Sequence, residues 1–299
     1  MKDYELQEHN RLLALSKIYN SLHVVNLRDN TFEEFSATKE IHDFIGDVKE
    51  ATSQMRITIE KFCTEECKDE AVEFTDLTTV ADRLAGKKII SRELISRYSG
   101  WFRASFIPIE TDENGKPISV FFVTQVIEDE KRQNQLLAYR ANTDMLTGFL
   151  NRYSYEEEMT LLYHSVDQDF IYISFDVNGL KAANDSFGHQ AGDELLKGAA
   201  YCIAEAFSEY GHLFRIGGDE FVAIITKDLD RIDEFRKEFM EYLDNWHGNL
   251  IKSLSISCGF VRRSSNPKRT MHELAILADK KMYECKANYY RQKGIDRRL

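Results

Sequence analysis

The chain has 299 residues, 43% hydrophobic and 30% charged, with only 3 Pro and 15 Gly, a folded, helix-rich composition that excludes disordered and collagen-like classes. That length exceeds one comfortable core and predicts two domains of roughly 100 to 200 residues each. A formal charge of −11 and a pI near 5.3 argue against general nucleic-acid binding, which needs a dense cationic surface, so any anionic ligand must be held locally by metal ions, backbone amides or a few placed Lys and Arg.

No run approaches the ~18 apolar residues needed to span a bilayer. Met1-Lys2-Asp3-Tyr4-Glu5 lacks the basic-then-apolar layout of a signal peptide, so a cytoplasmic chain with neither membrane nor nucleic acid as partner is expected. The five cysteines are odd in number and scattered, which is no disulfide framework. Cys63 and Cys67, four apart, would share one helix face. Two reduced thiols are the simpler reading and a share in a metal site the sharper one.

Ser21 to Phe35 reads as two short strands around a turn at Arg28-Asp29-Asn30. A helical and irregular stretch follows, in which Ile41, Phe44, Ile45 and Val48 recur at spacings of three and four. Trp101 to Ile109 and Ile118 to Ile127 are β-rich runs separated by Asp112-Glu113-Asn114-Gly115-Lys116-Pro117, and Asn-Gly between such runs signals a hairpin. This order, from about Leu15 to Ile127, resembles a PAS sensor domain. The resemblance implies an α+β sensor over 1–127, with an N-terminal helix and an unidentified small ligand. Another small α+β domain is the alternative, and His23 and His42 read as ordinary histidines.

Residues 128–143 form a predicted helical linker, since EDEKRQNQLLAYR contains no Pro or Gly. Linkers of PAS-coupled proteins pair as short coiled coils, and Leu136, Leu137 and Ala141 are the best apolar positions for that here.

The second domain, 144–299, opens with Asp144-Met145-Leu146-Thr147-Gly148-Phe149-Leu150-Asn151-Arg152, a turn followed by a new helix start. Asp169 to Asp176 is an aromatic and β-branched run ending in a carboxylate. A strand that delivers an acid at its end suits Mg2+, which prefers hard oxygen ligands on a rigid element; a simple cap is the alternative. After a helix with Leu195, Leu196, Ala199, Ala200, Ile203 and Phe207 on one side come two strand-like runs, His212 to Ile216 and Phe221 to Thr226, around Gly217-Gly218-Asp219-Glu220. Such a glycine pair leaves backbone amides accessible to phosphate, and the acids after it can hold the accompanying cation. Leu229, Ile232, Phe235, Phe239 and Leu243 predict an amphipathic helix, Ser253 to Val261 a strand, and the segment around Ala278 to Lys286 a last helix.

Arg215-Ile216-Gly217-Gly218-Asp219-Glu220-Phe221 resembles the signature of GGDEF-type diguanylate cyclases, and three further motifs accompany it. Asp144 to Arg152 matches D-x-L-T-G-x-x-N-R. Asp176 to Leu196 follows D-x-(D/N)-x-(F/L)-K-x-x-N-D-x-x-G-H-x-x-G-D-x-x-L. Ala278 to Lys286 is similar to A-D-x-x-(M/L)-Y-x-x-K. The resemblance implies an α/β fold like nucleotidyl cyclases and polymerase palms, a central antiparallel sheet flanked by helices. It implies that Asp176, the Val177 carbonyl and Asp219 bind metal, two Mg2+ per active site with Mn2+ as the substitute, and that Glu220 is the neighbouring essential acid. Asn184 and Asp193 would bind guanine, Lys181 and Lys286 would serve the phosphates, and Gly217 and Gly218 would face them. An acid at 193 matches the paired donor edge of guanine, which adenine lacks, and so favours GTP.

The implied activity condenses two GTP into cyclic di-GMP and two pyrophosphates in a homodimer joined through linker and catalytic face. A silent GTP-binding module and a cyclase with relaxed base choice are the alternatives. Two departures stand out: Tyr290 replaces an arginine common in the family, and Ser208 and Gly211 occupy the Arg and Asp positions of the family's product-inhibition site, so feedback through that site is expected to be absent.

Overall fold

The computed structural model describes residues 18–45, 50–164 and 168–294. The chain divides into two compact units, Met1–Gln135 and Leu136–Leu299. No helix among the described residues is long and apolar enough to cross a membrane.

The first unit holds strands β1 (Ser21–Asn26), β2 (Thr31–Ala37), β3 (Ile90–Ser96), β4 (Gly100–Thr111) and β5 (Pro117–Val126) in one antiparallel sheet of order β2-β1-β5-β4-β3. Both predicted hairpins form. In the first, the Asn26 side chain accepts the amides of Arg28 and Asp29, while Asn30 adopts the left-handed backbone (φ 53°) that Asn tolerates. In the second, Gly115 (φ 78°) turns the chain and the Asp112 carboxylate accepts the amides of Asn114 and Lys116.

Between β2 and β3 lie α1 (Lys39–Ile45), α2 (Ala51–Phe62), α3 (Lys68–Phe74) and α4 (Leu77–Leu84). Their Met55, Ile59, Phe62, Phe74, Val80 and Leu84 share a core with Phe102, Phe106 and Phe122 of the sheet. Ile41 joins that core, whereas the side chains of Phe44 and Ile45, the whole of Val48 and the expected N-terminal helix lie outside the described residues. Cys63 and Cys67 are buried, free thiols.

The second unit is built on β6 (Ile171–Val177), β7 (Gly211–Arg215), β8 (Glu220–Ile225) and β9 (Ile256–Arg262), an antiparallel sheet of order β7-β8-β6-β9. Helix α5 (Glu128–Asn142) carries the division between the units; α6 (Arg152–His164), α7 (Leu180–Phe187), α8 (His189–Phe207), α9 (Ile232–Asn245) and α10 (Met271–Lys293) follow. Strand β6 is buried along its whole length because it has a core on each face. Ile171, Ile173, Phe175 and Val177 pack with α8 and α9, while Phe170 and Tyr172 pack with Leu162 of α6 and Leu274 and Ala278 of α10. Alternation therefore sends Ser174 and Asp176 to the α10 side.

Two element starts lie three residues later than expected. The last strand starts at Ile256, not Ser253, because its partner β6 ends at Val177, which pairs with Ile256. Leu229 belongs to a separate 3-10 turn, Leu229–Arg231, set off by Asp228 in left-handed conformation (φ 51°), and the helix proper begins at Ile232.

Candidate active site

Asp176 pairs in register with Glu220 on the neighbouring strand, and the Val177 amide donates to the Asp219 carbonyl at 3.0 Å. One end of the β6–β8 pair thus assembles three acids that lie 43 and 44 positions apart in the chain, 219 − 176 and 220 − 176. Asp176 is only 3% exposed. Its carboxylate is bonded to the ammonium of Lys286, itself 7% exposed, from α10. Two helical turns earlier on the same helix, Asp279 accepts from the Ser174 hydroxyl at 2.5 Å. Beyond the end of β6, the buried Asn178 side chain donates to the hydroxyls of Ser255 (3.1 Å) and Ser257 (3.0 Å) and so ties the strand exit to β9.

Burial pushes the Glu220 carboxyl above the usual carboxylate range, and the charges of Asp219, Asp176 and Asp279 add to that, with Lys286 opposing. A half-buried site with excess negative charge and hard oxygen donors fits a hard divalent cation. No group of three or more His, Cys, Asp or Glu side chains is placed to hold a metal among the described residues. A cation at this end would draw on one or two carboxylates and main-chain oxygens, a sparse set of the kind Mg2+ accepts when substrate phosphates complete its shell.

Gly217 and Gly218 sit exposed at the tip of the β7–β8 hairpin, and neither uses left-handed backbone. A Cβ on Gly217 would come within 3.1 Å of the Glu220 carboxylate, whereas one on Gly218 would meet nothing within 4 Å, so only Gly217 has a steric reason to be glycine. Arg215 braces the tip from behind, donating to the Gly218 carbonyl at 2.8 Å and to both oxygens of Asp144 at 3.0 and 3.1 Å. Asp144 also accepts the amide and hydroxyl of Thr147, and Asn151 caps α6 by accepting the Ser154 amide while donating to the Ala141 carbonyl. The opening motif is therefore a support for the hairpin.

Lys181, Asn184 and Asp193 form a second group on the α7–α8 pair that leaves β6 through Gly179. Gly188 (φ 83°) turns the chain between the two helices. Asn184 lies against Gly192, where a Cβ would come 2.1 Å from its Oδ1, so the missing side chain seats this amide beside the helical turn that carries Asp193. Lys181 and Asp193 are exposed. Glu194 accepts the amides of Asn249, Leu250 and Ile251, which fastens that loop to α8 at the rim of an open cleft of about 520 Å³ lined in part by Asp193, Lys197, Tyr201 and Trp246.

Residues 141–292, just over half of the chain, match the family described as "Diguanylate cyclase, GGDEF domain". The chain belongs to the GGDEF family. The probable diguanylate cyclase DgcE of Escherichia coli K12 is 36% identical over 120 residues, 39% of this chain and 11% of that protein. Diguanylate cyclase DgcS of Shewanella oneidensis is 27% identical over 159 residues, 52% of this chain and 53% of that protein. The aligned region thus spans from about a tenth to about half of the length of these relatives. Among solved structures, the coiled coil and GGDEF domain of DgcB from Caulobacter crescentus, in complex with c-di-GMP, aligns with a TM-score of 0.48 and 22% identity over 54% of this chain and 89% of that one.

In this GGDEF unit, Asp279 stands in the last-helix motif with no role read from the sequence, although its spacing of seven from Lys286 puts both on one helix face. The contact between Asp176, expected at a metal, and Lys286, expected at the phosphates, was likewise not foreseen. Gly211 has a steric reason to be glycine, since a Cβ there would lie 2.0 Å from the Ile224 carbonyl oxygen.

Proposed function

We propose that this chain is a diguanylate cyclase that works as a homodimer in the cytoplasm, each copy holding one GTP. The 3′-hydroxyl of each GTP attacks the α-phosphorus of the other. Two such displacements give cyclic di-GMP and two pyrophosphates. The observation that carries this reading is the Asp176–Glu220 register pair beside a glycine hairpin, with Asn184 and Asp193 on the helix pair leaving the same strand end. Family membership and the names of DgcE and DgcS support it.

In this reading the Asp193 carboxylate accepts from N1–H and the exocyclic amine of guanine, and the Asn184 amide bonds the remaining edge. Gly217 and Gly218 turn amides towards the phosphates, and Lys181 and Lys286 contribute positive charge. Asp176, the Val177 carbonyl and Asp219 would hold Mg2+, two per site, with Mn2+ as the substitute; when bound, the metal neutralises phosphate charge. Glu220, whose carboxyl is held above the usual range, takes the 3′-hydroxyl proton. Positioning and charge stabilisation supply most of the rate.

Residues 1–127 act as a PAS-like sensor for a small ligand, 128–143 as the signalling linker that also joins the dimer, and 144–299 as the catalytic domain. The sheet order β2-β1-β5-β4-β3, with all four helices between β2 and β3, supports the sensor reading.

The test incubates the protein with GTP, ATP or both plus Mg2+ and identifies products by mass. Cyclic di-GMP from GTP alone is expected. Mixed or adenine products would instead support relaxed base choice, and bound GTP without any product would support a silent regulatory module.

A further inference from the structure

The sheet of the first unit turns one face to its helices, and that face changes character along its length. Cross-strand pairing sets Val25 opposite Val120, His23 opposite Phe122 and Ser21 opposite Thr124, and alternation keeps all six on one side. Val25, Val120 and Phe122 belong to the core under the helices, whereas Ser21 and Thr124 are buried hydroxyls that bond each other at 2.7 Å.

Two hollows lie at this polar end. The outer one, of about 280 Å³, is lined in part by Asn20, Thr38, Tyr98 and Ser99, and the inner one, of about 30 Å³, by His23, Phe32, Met55 and Thr58. Ile41, Phe62, Phe102 and Thr124 are walls of both. His23 is 2% exposed, and its ring stacks on Phe32 with centroids 4.6 Å apart, which fixes the plane of the imidazole. Among the described residues its Nδ1 has no hydrogen-bond partner, and neither has the buried Oγ of Ser99. His23 is therefore an ordinary core histidine by position but not by bonding, because a buried polar atom is normally paired and costs the fold when it is not.

The walls also say what could satisfy these atoms. No Lys, Arg, Asp or Glu lines either hollow among the described residues, and burial keeps His23 neutral, its pKa lowered to about 4. A charged ligand would be stranded there without a counter-ion. A dry cavity of about 150 Å³ accepts benzene, so the outer hollow suits a fused bicyclic ring, and the inner one, roughly the volume of one water, admits only its polar edge.

We propose that the two hollows form one binding site for an uncharged, flat heteroaromatic compound of about indole size, its polar edge bonded to His23 Nδ1 and its ring against Phe62 and Phe102. The ligand class deepens the sensor reading above, and any effect on turnover rests on that reading; binding does not.

The experiment titrates the full chain, carrying isotope-labelled histidine, with indole and follows both heat and the imidazole nitrogen resonances. The comparison probes are indene, a hydrocarbon of the same shape, and the carboxylate indoleacetate. Saturable binding of one indole per chain is expected, with a shift of the imidazole signal that is missing from His23→Phe. Indene, which lacks the polar edge, should bind about tenfold more weakly, and indoleacetate at least about a hundredfold more weakly. His23→Phe preserves a ring for the stack on Phe32 and should weaken indole about tenfold. Should that variant fail to fold, the ranking of the three probes on the native chain decides alone. No saturable heat and no imidazole shift near the solubility limit of indole means that water alone fills the hollows, and overturns the site. Equal affinity for indole and indoleacetate, or unaltered indole binding by folded His23→Phe, overturns it as well. Saturable binding with unchanged turnover of GTP sustains the site and counts against the sensor reading alone.

Discussion

The ammonium of Lys286 is seated on the carboxylate of Asp176, two buried charges delivered by a helix and a strand 110 positions apart. Neither charge is tolerable alone at that depth, because desolvation is offset only while the partner stays in place. A divalent cation bound at Asp176 would take over the neutralising role and free Lys286 to turn towards a phosphate. Replacing Lys286 with Met should therefore destabilise the cation-free protein by about 3 kcal/mol. Saturating Mg2+ should then raise the melting temperature of Lys286→Met by more than it raises that of the native chain. Equal increments, measured by thermal shift with and without Mg2+, would show that cation and ammonium do not share Asp176.

Glu220 provides a second test that does not depend on catalysis. Its carboxyl is held above the usual range by burial first and then by the charges of Asp219, Asp176 and Asp279. A carboxyl raised on folding favours the native state fully below its unfolded value, and that contribution is lost as pH rises through the folded value. At neutral pH and without cation, Glu220 is thus a net burden on the fold. Glu220→Gln should melt at a higher temperature than the native chain at pH 7, with the gap closing as pH falls towards the ordinary glutamate value, and it should lose turnover. A variant that melts lower at pH 7 would contradict this account of the site's charge.

How much of this was legible beforehand depended on how local each signal was. Asp176 stood out because an apolar strand run ends on it, and Asn151 because a helix start needs a cap. The partnership of Asp176 with Glu220 was not legible, since it arises from the order β8-β6, in which strands distant in sequence become neighbours. Strand β3 was also missed, because the adjacent exposed residues Ser91 and Arg92 interrupt its alternation, and its hairpin with β4, closed at Ser96 and Gly100, decides its state. The glycine pair was recognisable as a hairpin tip, but the closeness of Gly217 to the Glu220 carboxylate was not, since it depends on how the hairpin folds back on itself. Asp279 needed only the helical period counted back from Lys286.

The seat of Asn184 can be disturbed without touching the acids. A Cβ on Gly192 would lie 2.1 Å from Asn184 Oδ1 and 3.1 Å from its Nδ2, the mobile end of a half-buried side chain. The amide can swing aside, so Gly192→Ala should leave the melting temperature within the range of an ordinary surface change, about 0.5 kcal/mol. If Asn184 reads guanine, the same substitution should raise KM for GTP about tenfold, equivalent to about 1.4 kcal/mol, and leave kcat nearly unchanged. A fall in kcat at constant KM would assign the Asn184 seat to something other than base recognition.

The clamp between Arg215 and Asp144 should appear as a pH-dependent term in stability. Burial alone would raise the Asp144 carboxyl, but hydrogen bonds from Thr147 and Arg215 outweigh it and hold the group below the usual carboxylate range. A carboxyl depressed on folding contributes stability above its unfolded value, near 3.9, and loses it as pH falls through the lower folded value. Arg215→Ala removes the bidentate partner and the brace on the Gly218 carbonyl together, which should cost about 2 kcal/mol at neutral pH. Once pH falls below about 4 and on through the lower folded value, Asp144 becomes protonated and no longer rewards the guanidinium, so chemical denaturation of the two proteins should converge there except for the bond to Gly218. A gap that stays constant down to acid pH would place the whole effect of Arg215 in the hairpin brace and none in its pairing with Asp144.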